Sequence, residues 1–263
     1  MQNFDHLLTT RPHEIHTVFV SDLHLSDSTP ALNQAFLVLL KDLTALPNLQ
    51  RLFILGDWLD GWIGDDDYLS LNDDEKQTHF LTPILTALKN LSFKTNIYVM
   101  HGNRDFTIRQ SLCDIFHGKL IKEPYFLKLD KTYRLEHGDR LCTDDAHYQR
   151  YRKIIQNPII SWFLLKQPLA KRRKLAQKIK QKSQDDKTQK STAIMDVNAL
   201  AVKNALDTCD VLIHGHTHRP YIHIEYTKQR IVLGDWHKDG NTIHAIIGAV
   251  VADELDLWEF ITS

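Results

Sequence analysis

A short apolar run and a histidine cluster adjoin in the stretch Asp210-Val211-Leu212-Ile213-His214-Gly215-His216-Thr217-His218. Four further runs rich in β-branched and aromatic residues also end in clusters of Gly, Asp, Asn or His. These runs are residues 16–20, 51–55, 96–100 and 132–136, and their clusters are 21–24, 56–57, 101–105 and 137–139. Each run has the length of a strand, and runs that are apolar throughout indicate strands buried on both faces of a sheet.

Helical patterns separate these predicted strands, for example at residues 31–43 and 78–91. Alternation of strands and helices is typical of an α/β domain. In such domains ligands bind beyond the carboxyl ends of the strands, and all five polar clusters occupy that position. We therefore expect the five clusters to converge on one site.

A long segment between the fourth and fifth predicted strands has a different character. Residues 151–198 contain an apolar stretch around Pro158 (154–165), a basic helical pattern (171–180) and a polar loop (183–192). We interpret this segment as a helical lid insertion in a core formed by residues 14–150 and 199–263. Residues 1–13 are expected to form a frayed N-terminal extension, since chain ends are often poorly ordered. Alternation within 222–261 predicts antiparallel strands.

The charge of the chain is distributed unevenly. Residues 150–190 hold 13 Lys and Arg against 2 Asp and Glu, a net charge of +11. Because the whole chain carries −1, the remainder carries −12. This asymmetry predicts a basic element facing an anionic partner, which could be a nucleic acid, a phosphorylated ligand or an anionic membrane surface.

The composition excludes several classes of protein. A hydrophobic content of 43% and a charged content of 25% are ordinary for a globular enzyme, so a disordered or fibrous chain is not expected. The apolar runs are far shorter than the ~20 residues of a spanning helix, and residues 1–14 lack the apolar core of a signal peptide. We expect a cytoplasmic protein whose three cysteines, at 113, 142 and 209, are buried and form no disulfide framework.

Seven side chains in the clusters are candidate metal ligands: Asp22, His24, Asp57, Asn103, His137, His216 and His218. Carboxylate, imidazole and amide groups without a thiol suit Mn²⁺, Fe²⁺ or Zn²⁺. Seven ligands suit two ions, and Asp57 is the natural bridge because a carboxylate can span ions about 3.5–4 Å apart. Asp22 and His24 are two residues apart, as are His216 and His218, so each pair is expected to leave one face of an extended segment.

Further carboxylates lie close to these ligands in the sequence. Asp60, Asp65, Asp66 and Asp67 could support the ligands or contact the lid, but we interpret them as a solvated acidic loop. Asp139 closely follows a candidate ligand and could orient it.

The ordered set Asp-x-His, Gly-Asp, Gly-Asn-x-Asp, a lone His and Gly-His-x-His resembles the calcineurin-like metallophosphoesterase superfamily. The resemblance implies a four-layer α/β/β/α sandwich with mixed sheets and a helical lid insertion. It also implies hydrolysis of a phosphate ester or anhydride by two Mn²⁺ ions per chain. By analogy, one ion would be held by Asp22, His24 and His218, the other by Asn103, His137 and His216, and both by Asp57.

Arg104 departs from the superfamily pattern, which has a His here that is thought to protonate the leaving alkoxide. Arginine does not release its proton near pH 7. A phosphate monoester can leave without a proton, because its second pKa is about 6. We therefore expect a pyrophosphate bond as the target, with Arg104 as a cation that clamps it.

Longer strings, at residues 62–67, 101–106, 137–145, 193–198 and 214–220, resemble the family of pyrophosphatases that cleave UDP-2,3-diacylglucosamine in lipid A biosynthesis. The resemblance extends from about residue 17 to the C-terminus and includes the basic insertion, which the wider superfamily lacks. It implies attack of metal-bound water on the α-phosphorus, with UMP and 2,3-diacylglucosamine 1-phosphate as products. It places the reaction at the cytoplasmic face of the bacterial inner membrane.

The same resemblance implies roles for particular residues. The catalytic residues would be Asp57, Asn103, Arg104 and His216. The substrate would be bound by Asn103, Arg104 and His216, by Asp145 and Tyr148 after the fourth cluster, and by Ser183, Lys187 and Lys190 in the lid. Lys187 stands where the family more often has Asn. We expect a monomer that takes a lipid-linked UDP-sugar, contacts the anionic inner-membrane surface and binds no nucleic acid.

The lid sequence suits a substrate with two acyl chains. Residues 154–165 could line an apolar channel for the chains, or could pack against the core. The basic residues 171–182 could lie on anionic lipid, at about 1 kcal/mol per residue near the surface, or could form a solvated face.

Two other functions compete with this interpretation. A nuclease or cyclic-nucleotide phosphodiesterase would use the basic insertion to bind nucleic acid. The insertion lacks the interleaved aromatic residues of a single-strand platform, and Arg104 replaces the acid that such a reaction needs. A non-catalytic scaffold would be expected to lose metal ligands, whereas this chain keeps all seven.

Overall fold

The computed structural model describes residues 1–189, 196–225 and 227–263, and of residues 180–189 it describes the backbone alone. The strands are β1 (Gln2–Asn3), β2 (Ile15–Val20), β3 (Arg51–Leu55), β4 (Asn96–Met100), β5 (Lys119–Ile121), β6 (Tyr125–Lys128), β7 (Thr132–Leu135), β8 (Val211–His214), β9 (Tyr221–Glu225), β10 (Lys228–Val232), β11 (Trp236–Asp239), β12 (Thr242–Val251) and β13 (Glu254–Thr262). The α-helices are α1 (Phe4–Thr10), α2 (Pro30–Ala45), α3 (Asp66–Leu69), α4 (Asp73–Thr78), α5 (Leu81–Ser92), α6 (Gln110–Asp114), α7 (Ala146–Ile155), α8 (Pro158–Leu165), α9 (Leu169–Gln189) and α10 (Ala199–Leu206).

The strands form two mixed sheets. The first has the order β1-β13-β12-β2-β3-β4-β5, with β11 beside β12, and β2 to β5 are parallel. The second has the order β6-β7-β8-β10-β9, in which β7, β8 and β10 are parallel. The five strands expected from the apolar runs are β2, β3, β4, β7 and β8, so that prediction is confirmed. Antiparallel pairing is confirmed for β9 with β10 and for β11 to β13, although β10 also pairs in parallel with β8.

The sheets pack face to face between two layers of helices. Apolar side chains of both sheets meet in the middle, where Phe53 stacks between Phe19 and Tyr98 at ring-centroid distances of 5.2 and 4.6 Å. The outer face of the first sheet packs against α2 and α5, and that of the second packs against α10. This arrangement confirms the expected four-layer α/β/β/α sandwich.

The sequence of β3 and α2 shows how these layers are specified. Four of the five residues of β3 are fully buried, as expected for a central strand covered on both faces. Helix α2 begins with Pro30, which is preorganised for the first helical position. Its buried apolar residues, Ala35, Phe36, Leu39, Leu40 and Leu43, recur at helical spacing and form one apolar face.

The N-terminal segment is an ordered part of the core, so the expectation of a frayed tail is wrong. Strand β1 pairs with β13 at the edge of the first sheet. The side chain of Asn3 caps α1 by accepting a hydrogen bond of 2.7 Å from the backbone N–H of Asp5. Phe4 and Leu7 lie three residues apart on one helix face, and both are buried in the core.

The segment after Gly64 does not form the solvated acidic loop expected from its composition. Asp65 is buried and accepts hydrogen bonds from the backbone N–H groups of Arg109 (3.0 Å) and Leu112 (2.8 Å). Asp66 forms an ion pair with Arg172 of α9, and Asp67 forms one with Arg173. Acidic residues of the core therefore neutralise part of the basic insertion and hold α9 against the core.

Helices α7 to α9 make up the described part of the insertion, and α7 begins at Ala146, before the predicted boundary. Within the described residues, no helix combines the length and apolar character needed to cross a membrane. The three cysteines are buried, as expected, and none of them forms a disulfide within the described part of the chain.

Candidate metal centre

The loops that follow β2, β3 and β8 carry their candidate ligands in an unusual backbone conformation. Asp22, His24, Asp57, His216 and His218 all have positive φ angles, between 50° and 67°. Residues other than Gly rarely adopt this left-handed region, and such strain persists only where the surrounding structure enforces it. The expectation that each Asp-x-His or His-x-His pair leaves an extended segment is therefore wrong in its local geometry, although the paired side chains do converge.

All seven predicted ligands come together at the carboxyl ends of β2, β3, β4, β7 and β8. Asp22, His24 and His218 form one group whose ligand atoms all lie within 4.8 Å of one another, and Asp22, Asp57 and His137 form a second. The remaining two side chains adjoin the second group: Asn103 Oδ1 lies 3.1 Å from Nε2 of His137, and the His216 ring lies 5.1 Å from the His137 ring. The division of ligands between two ions stays a prediction.

His137 is held in a fixed orientation. Its Nδ1 lies 3.0 Å from the carbonyl oxygen of Leu55, to which only a protonated nitrogen can donate. In the neutral imidazole this contact leaves Nε2 as the unprotonated nitrogen, and Nε2 faces Asn103 and Asp57. A second interaction that fixes the tautomer is the usual support of a metal-binding histidine.

Asp22 shows the buried polar atom that a cation would satisfy. Its Oδ2 accepts hydrogen bonds from the Ser21 hydroxyl (2.7 Å) and from the backbone N–H of His216 (2.9 Å). Its Oδ1 is buried and accepts no hydrogen bond from the described part of the chain, although Nε2 of His218 lies 3.3 Å away. A buried carboxylate oxygen that accepts no hydrogen bond destabilises the fold unless a cation binds it. Together with the neighbouring imidazoles, this oxygen forms a donor set that fits divalent ions.

The electrostatics of the cluster also favour bound cations. Burial raises the pKa of Asp57 to about 6. Burial lowers the pKa of His24 to about 4 and that of His216 to about 3, so both imidazoles are neutral at pH 7 and can bind metal. Burial also opposes the charged form of His137, but the carboxylates of Asp57 and Asp22 outweigh it and raise its pKa to about 9. In the absence of ions, protons therefore occupy part of the cluster.

Two further features of the motifs hold the loops together. The carboxylate of Asp105 accepts hydrogen bonds from the backbone N–H groups of Trp58 (2.8 Å) and Gly102 (2.7 Å), and so joins the loops after β3 and β4. A side chain at Gly102 would collide with the carboxylate of Asp57, and one at Gly215 would collide with that of Asp22. Glycine is therefore required at both positions for the loops to approach the ligands.

Arg104 lies at the edge of the cluster. Its backbone N–H donates a 2.8 Å hydrogen bond to Oδ1 of Asp57, and its guanidinium Nη1 lies 3.8 Å from Oδ1 of Asp60. The residue lines the same cavity as Asp57 and His216. Asp60 therefore contacts Arg104, which is predicted to bind the substrate. We had expected Asp60 to lie in a solvated loop without such a contact.

Asp235, in the loop between β10 and β11, contacts a candidate ligand and was missed by the sequence patterns. Its Oδ2 lies 3.4 Å from Nδ1 of His218, whose other nitrogen faces Asp22. It belongs to none of the motifs and lies 17 residues beyond His218 in the sequence. A carboxylate that contacts the second ring nitrogen of a metal-binding histidine commonly orients that ligand. Because Asp235 is far from His218 in the sequence, no sequence pattern indicated this contact.

A network of charges connects α7 to the metal centre. The guanidinium of Arg152 forms ion pairs with Glu123 and with Asp139, the latter at 2.6 Å. Asp139 also accepts a 2.6 Å hydrogen bond from the hydroxyl of Tyr148, whose ring stacks 6.1 Å from the His216 ring. Asp139 thus contacts a predicted substrate-binding residue and a helix of the insertion, and its carboxylate does not bond to the ring of His137.

The cluster opens into a cavity of about 420 Å³ between the core and helices α7 to α9. Its lining includes His24, Asp57, Asn103, Arg104, Asp145, Tyr148, His216 and His218. The lining also includes the apolar residues Ile63, Phe106, Leu164, Leu175, Ala176 and Ile179. Polar groups suited to a phosphorylated headgroup and an apolar wall therefore share one cavity.

The apolar stretch of the insertion, residues 154–165, was expected either to line a channel for the acyl chains or to pack against the core, and for most of its side chains the structure shows neither. Of residues 154–165, only Leu164 lines the cavity, and most of the large apolar side chains neither line it nor pack in the core. Exposed on the surface are Ile154, Ile159, Ile160, Trp162 and Phe163. Helix α9 supplies half of the six apolar residues of the lining instead, namely Leu175, Ala176 and Ile179.

Three predicted substrate-binding residues of the lid are not located by the structure. Ser183 and Lys187 fall on α9 at positions whose side chains are not described, and Lys190 lies outside the described residues.

Comparison with known proteins places the chain in a family. Residues 15–220 match the family model of the calcineurin-like phosphoesterases. A protein of Pseudomonas fluorescens named UDP-2,3-diacylglucosamine hydrolase is 40% identical over 231 residues, covering 85% of this chain and 88% of the relative. Proteins of the same name are 41% identical in Shewanella piezotolerans and 39% identical in Coxiella burnetii, with 86% and 87% of this chain and 92% of each relative covered. The chain therefore belongs to the calcineurin-like phosphoesterase family and, within it, to the group of the UDP-2,3-diacylglucosamine hydrolases.

Proposed function

We propose that the protein hydrolyses the pyrophosphate bond of UDP-2,3-diacylglucosamine, with two Mn²⁺ ions, to UMP and 2,3-diacylglucosamine 1-phosphate. The proposal places the cleavage at the α-phosphorus, next to uridine, and the reaction in lipid A biosynthesis. The names of the relatives support the substrate, because 85% or more of this chain is covered at about 40% identity. The single structural observation that carries it is the shared cavity, which is lined by five of the seven candidate ligands and by apolar side chains, half of them from α9.

The residues present suit that reaction in distinct ways. Asp22, His24 and His218 would hold one ion, Asn103, His137 and His216 the other, and Asp57 both. When bound, such ions activate water as a nucleophile and neutralise charge on phosphoryl oxygens.

Arg104 would bind the pyrophosphate through its guanidinium, which stays protonated throughout. Because the leaving group is a phosphate monoester, no side chain has to protonate it. Tyr148 and Asp145 line the cavity beside His216 and would position the substrate.

The insertion, residues 151–198, would act as a lid that receives the acyl chains. Apolar side chains of α9 and Leu164 would contact the chains, and burial of apolar surface would supply binding energy at about 25 cal/mol per Å². Ser183, Lys187 and Lys190 would bind the glucosamine phosphate group.

Release of UMP from UDP-2,3-diacylglucosamine tests the proposal. We expect release with Mn²⁺, none with EDTA, and none from Asp57→Ala at the same Mn²⁺ concentration. Asp207→Ala, which changes an exposed carboxylate at the end of α10, is the matched control and should release UMP at the wild-type rate. Hydrolysis of a generic phosphodiester without release of UMP would retain the metal centre and refute the lipid substrate.

We further propose that the exposed apolar residues of α7 and α8 contact the anionic cytoplasmic face of the bacterial inner membrane. Trp162 is 55% exposed, and the ammonium of Lys166 lies 5.5 Å from the centre of its ring. Tryptophan with an adjacent lysine is typical of a surface at the boundary of headgroups and acyl chains. This surface adjoins the cavity through Leu164, so a lipid substrate could enter without crossing water.

Sedimentation with vesicles of phosphatidylglycerol and phosphatidylethanolamine tests the membrane contact. The double variant Trp162→Glu/Phe163→Glu should lose co-sedimentation, whereas Leu200→Glu, at another exposed apolar residue, on α10, should retain it. Equal binding of the two variants to the vesicles would refute the assignment of this surface to the membrane contact. Hydrolysis of the substrate in detergent should be little changed in either variant.

A further inference from the structure

A second cavity lies beside the metal centre on the side of the β9–β10 hairpin. Its volume is about 330 Å³. The loop that carries the last two ligands contributes Thr217 and Arg219 to the lining, the strands contribute Tyr221, His223 and Arg230, and Asp196 also lines the cavity.

This second cavity is directly adjacent to the reaction site. Thr217 stands between the candidate ligands His216 and His218 in the sequence, and both Thr217 and Arg219 line the two cavities together. A group that leaves the metal centre past Thr217 can therefore enter the second cavity.

We propose that the second cavity binds the nucleoside of the substrate, uracil and ribose, and later the same part of the UMP product. This inference rests on the proposed function. The α-phosphorus carries uridine on one side and the β-phosphate with its acylated sugar on the other. Because the apolar cavity suits the acyl chains, the nucleoside has to leave the centre in another direction.

The charges in the second cavity suit a neutral heterocycle. Arg219 is paired with Asp196, and Arg230 donates from Nε to Glu225 at 2.8 Å. Since both cations already have carboxylate partners, a further phosphate would gain little there. A guanidinium has several N–H donors, so Arg230 can also donate hydrogen bonds to the carbonyl oxygens of uracil. The carboxylate of Asp196 can accept a hydrogen bond from a ribose hydroxyl.

Tyr221 supplies a surface for stacking. It is 62% exposed, and its ring lies 4.8 Å from the His223 ring in an edge-to-face arrangement. In the β9–β10 pair Tyr221 is opposite Val232 and His223 is opposite Arg230, so these four side chains share one face of the hairpin. All four line the cavity.

The same strand provides a matched control. Ile224 follows His223, points to the opposite face of β9 and is 67% exposed. Neither Tyr221 nor Ile224 is buried, so alanine at either position should leave the fold intact.

Calorimetric binding of UMP to the Mn²⁺-loaded protein tests the proposal, with ribose 5-phosphate as the ligand that lacks the base. We expect wild-type protein to bind UMP more tightly than ribose 5-phosphate. Tyr221→Ala should weaken UMP binding about tenfold, as expected for loss of one stacked base. It should leave ribose 5-phosphate binding unchanged, and Ile224→Ala should change neither.

Two results would overturn the proposal: equal affinity of the wild-type protein for UMP and ribose 5-phosphate, or wild-type UMP affinity in Tyr221→Ala. Neither measurement needs turnover of the lipid substrate. Failure to hydrolyse UDP-2,3-diacylglucosamine would therefore refute the proposed function separately, and a Tyr221-dependent preference for UMP would still establish the nucleoside site.

Discussion

Replacement of Asp235 by Asn tests whether this residue supports a metal ligand. Asn keeps an oxygen that can accept a hydrogen bond from Nδ1 of His218, but it removes the negative charge. Loss of a carboxylate behind a metal-binding histidine typically costs 10- to 100-fold in metal affinity. The side chains of His218 and Asp235 are 28% and 29% exposed, so solvent screens part of their interaction. We therefore expect the lower end of this range, about tenfold or about 1.4 kcal/mol.

Competition with a fluorescent chelator for Mn²⁺ measures this change directly. We expect the apparent affinity of Asp235→Asn to fall about tenfold and its activity to return at a correspondingly higher Mn²⁺ concentration. Recovery at high metal separates weakened binding from damage to the fold. His237→Asn is the matched control, because the His237 ring lies 3.6 Å from the other carboxylate oxygen of Asp235 and is 58% exposed. Affinity of Asp235→Asn within twofold of wild type would refute the reasoning.

Two further predictions concern stability and pH. Arg152→Met leaves two carboxylates without their buried partner, so it should lower the free energy of unfolding, measured in urea, by about 3 kcal/mol. The control Lys153→Met, at an exposed position of the same helix, should change this free energy little. Equal stability of the two variants would contradict the role of this network. Mn²⁺ must displace protons from Asp57, whose pKa burial raises to about 6, and from His137, whose pKa neighbouring carboxylates raise to about 9 against the effect of burial. The affinity for Mn²⁺ should therefore increase between about pH 6 and 9, and binding should release protons. Calorimetry at pH 7 in two buffers of different ionisation enthalpy tests this, and equal heats of Mn²⁺ binding in the two buffers would contradict it.

The sequence predicts the sheets and the ligands well because both follow from short-range patterns. Strands β3 and β4 begin and end where the apolar runs do, since a strand covered on both faces has to be apolar throughout. Each ligand lies within four residues of the end of a strand, so the positions of Leu55 and Met100 at their strand ends also locate the next polar clusters. The glycines at 102 and 215 have a visible reason in the structure, because no side chain fits beside the ligands.

The features that the sequence did not predict depend on contacts between distant segments. Asp65 is buried only because the backbone around Arg109 and Leu112 donates to it, and its own neighbours in the sequence suggest solvent exposure. The same holds for Asp235, which reaches His218 through the turn between β10 and β11. The general expectation that chain ends are poorly ordered was wrong for α1, which only two of its seven residues, Phe4 and Leu7, anchor in the core.

The left-handed backbone at five of the seven candidate ligands has a consequence for protein engineering. A designer who grafted these side chains onto relaxed loops of another scaffold would copy the chemistry but not the directions in which the side chains leave the backbone. Strain of this kind costs on the order of 1–3 kcal/mol per residue, and here the two stacked sheets and the carboxylate of Asp105 enforce it. A transplanted centre would therefore need the surrounding sandwich as well as its ligands, which makes the fold itself part of the metal site.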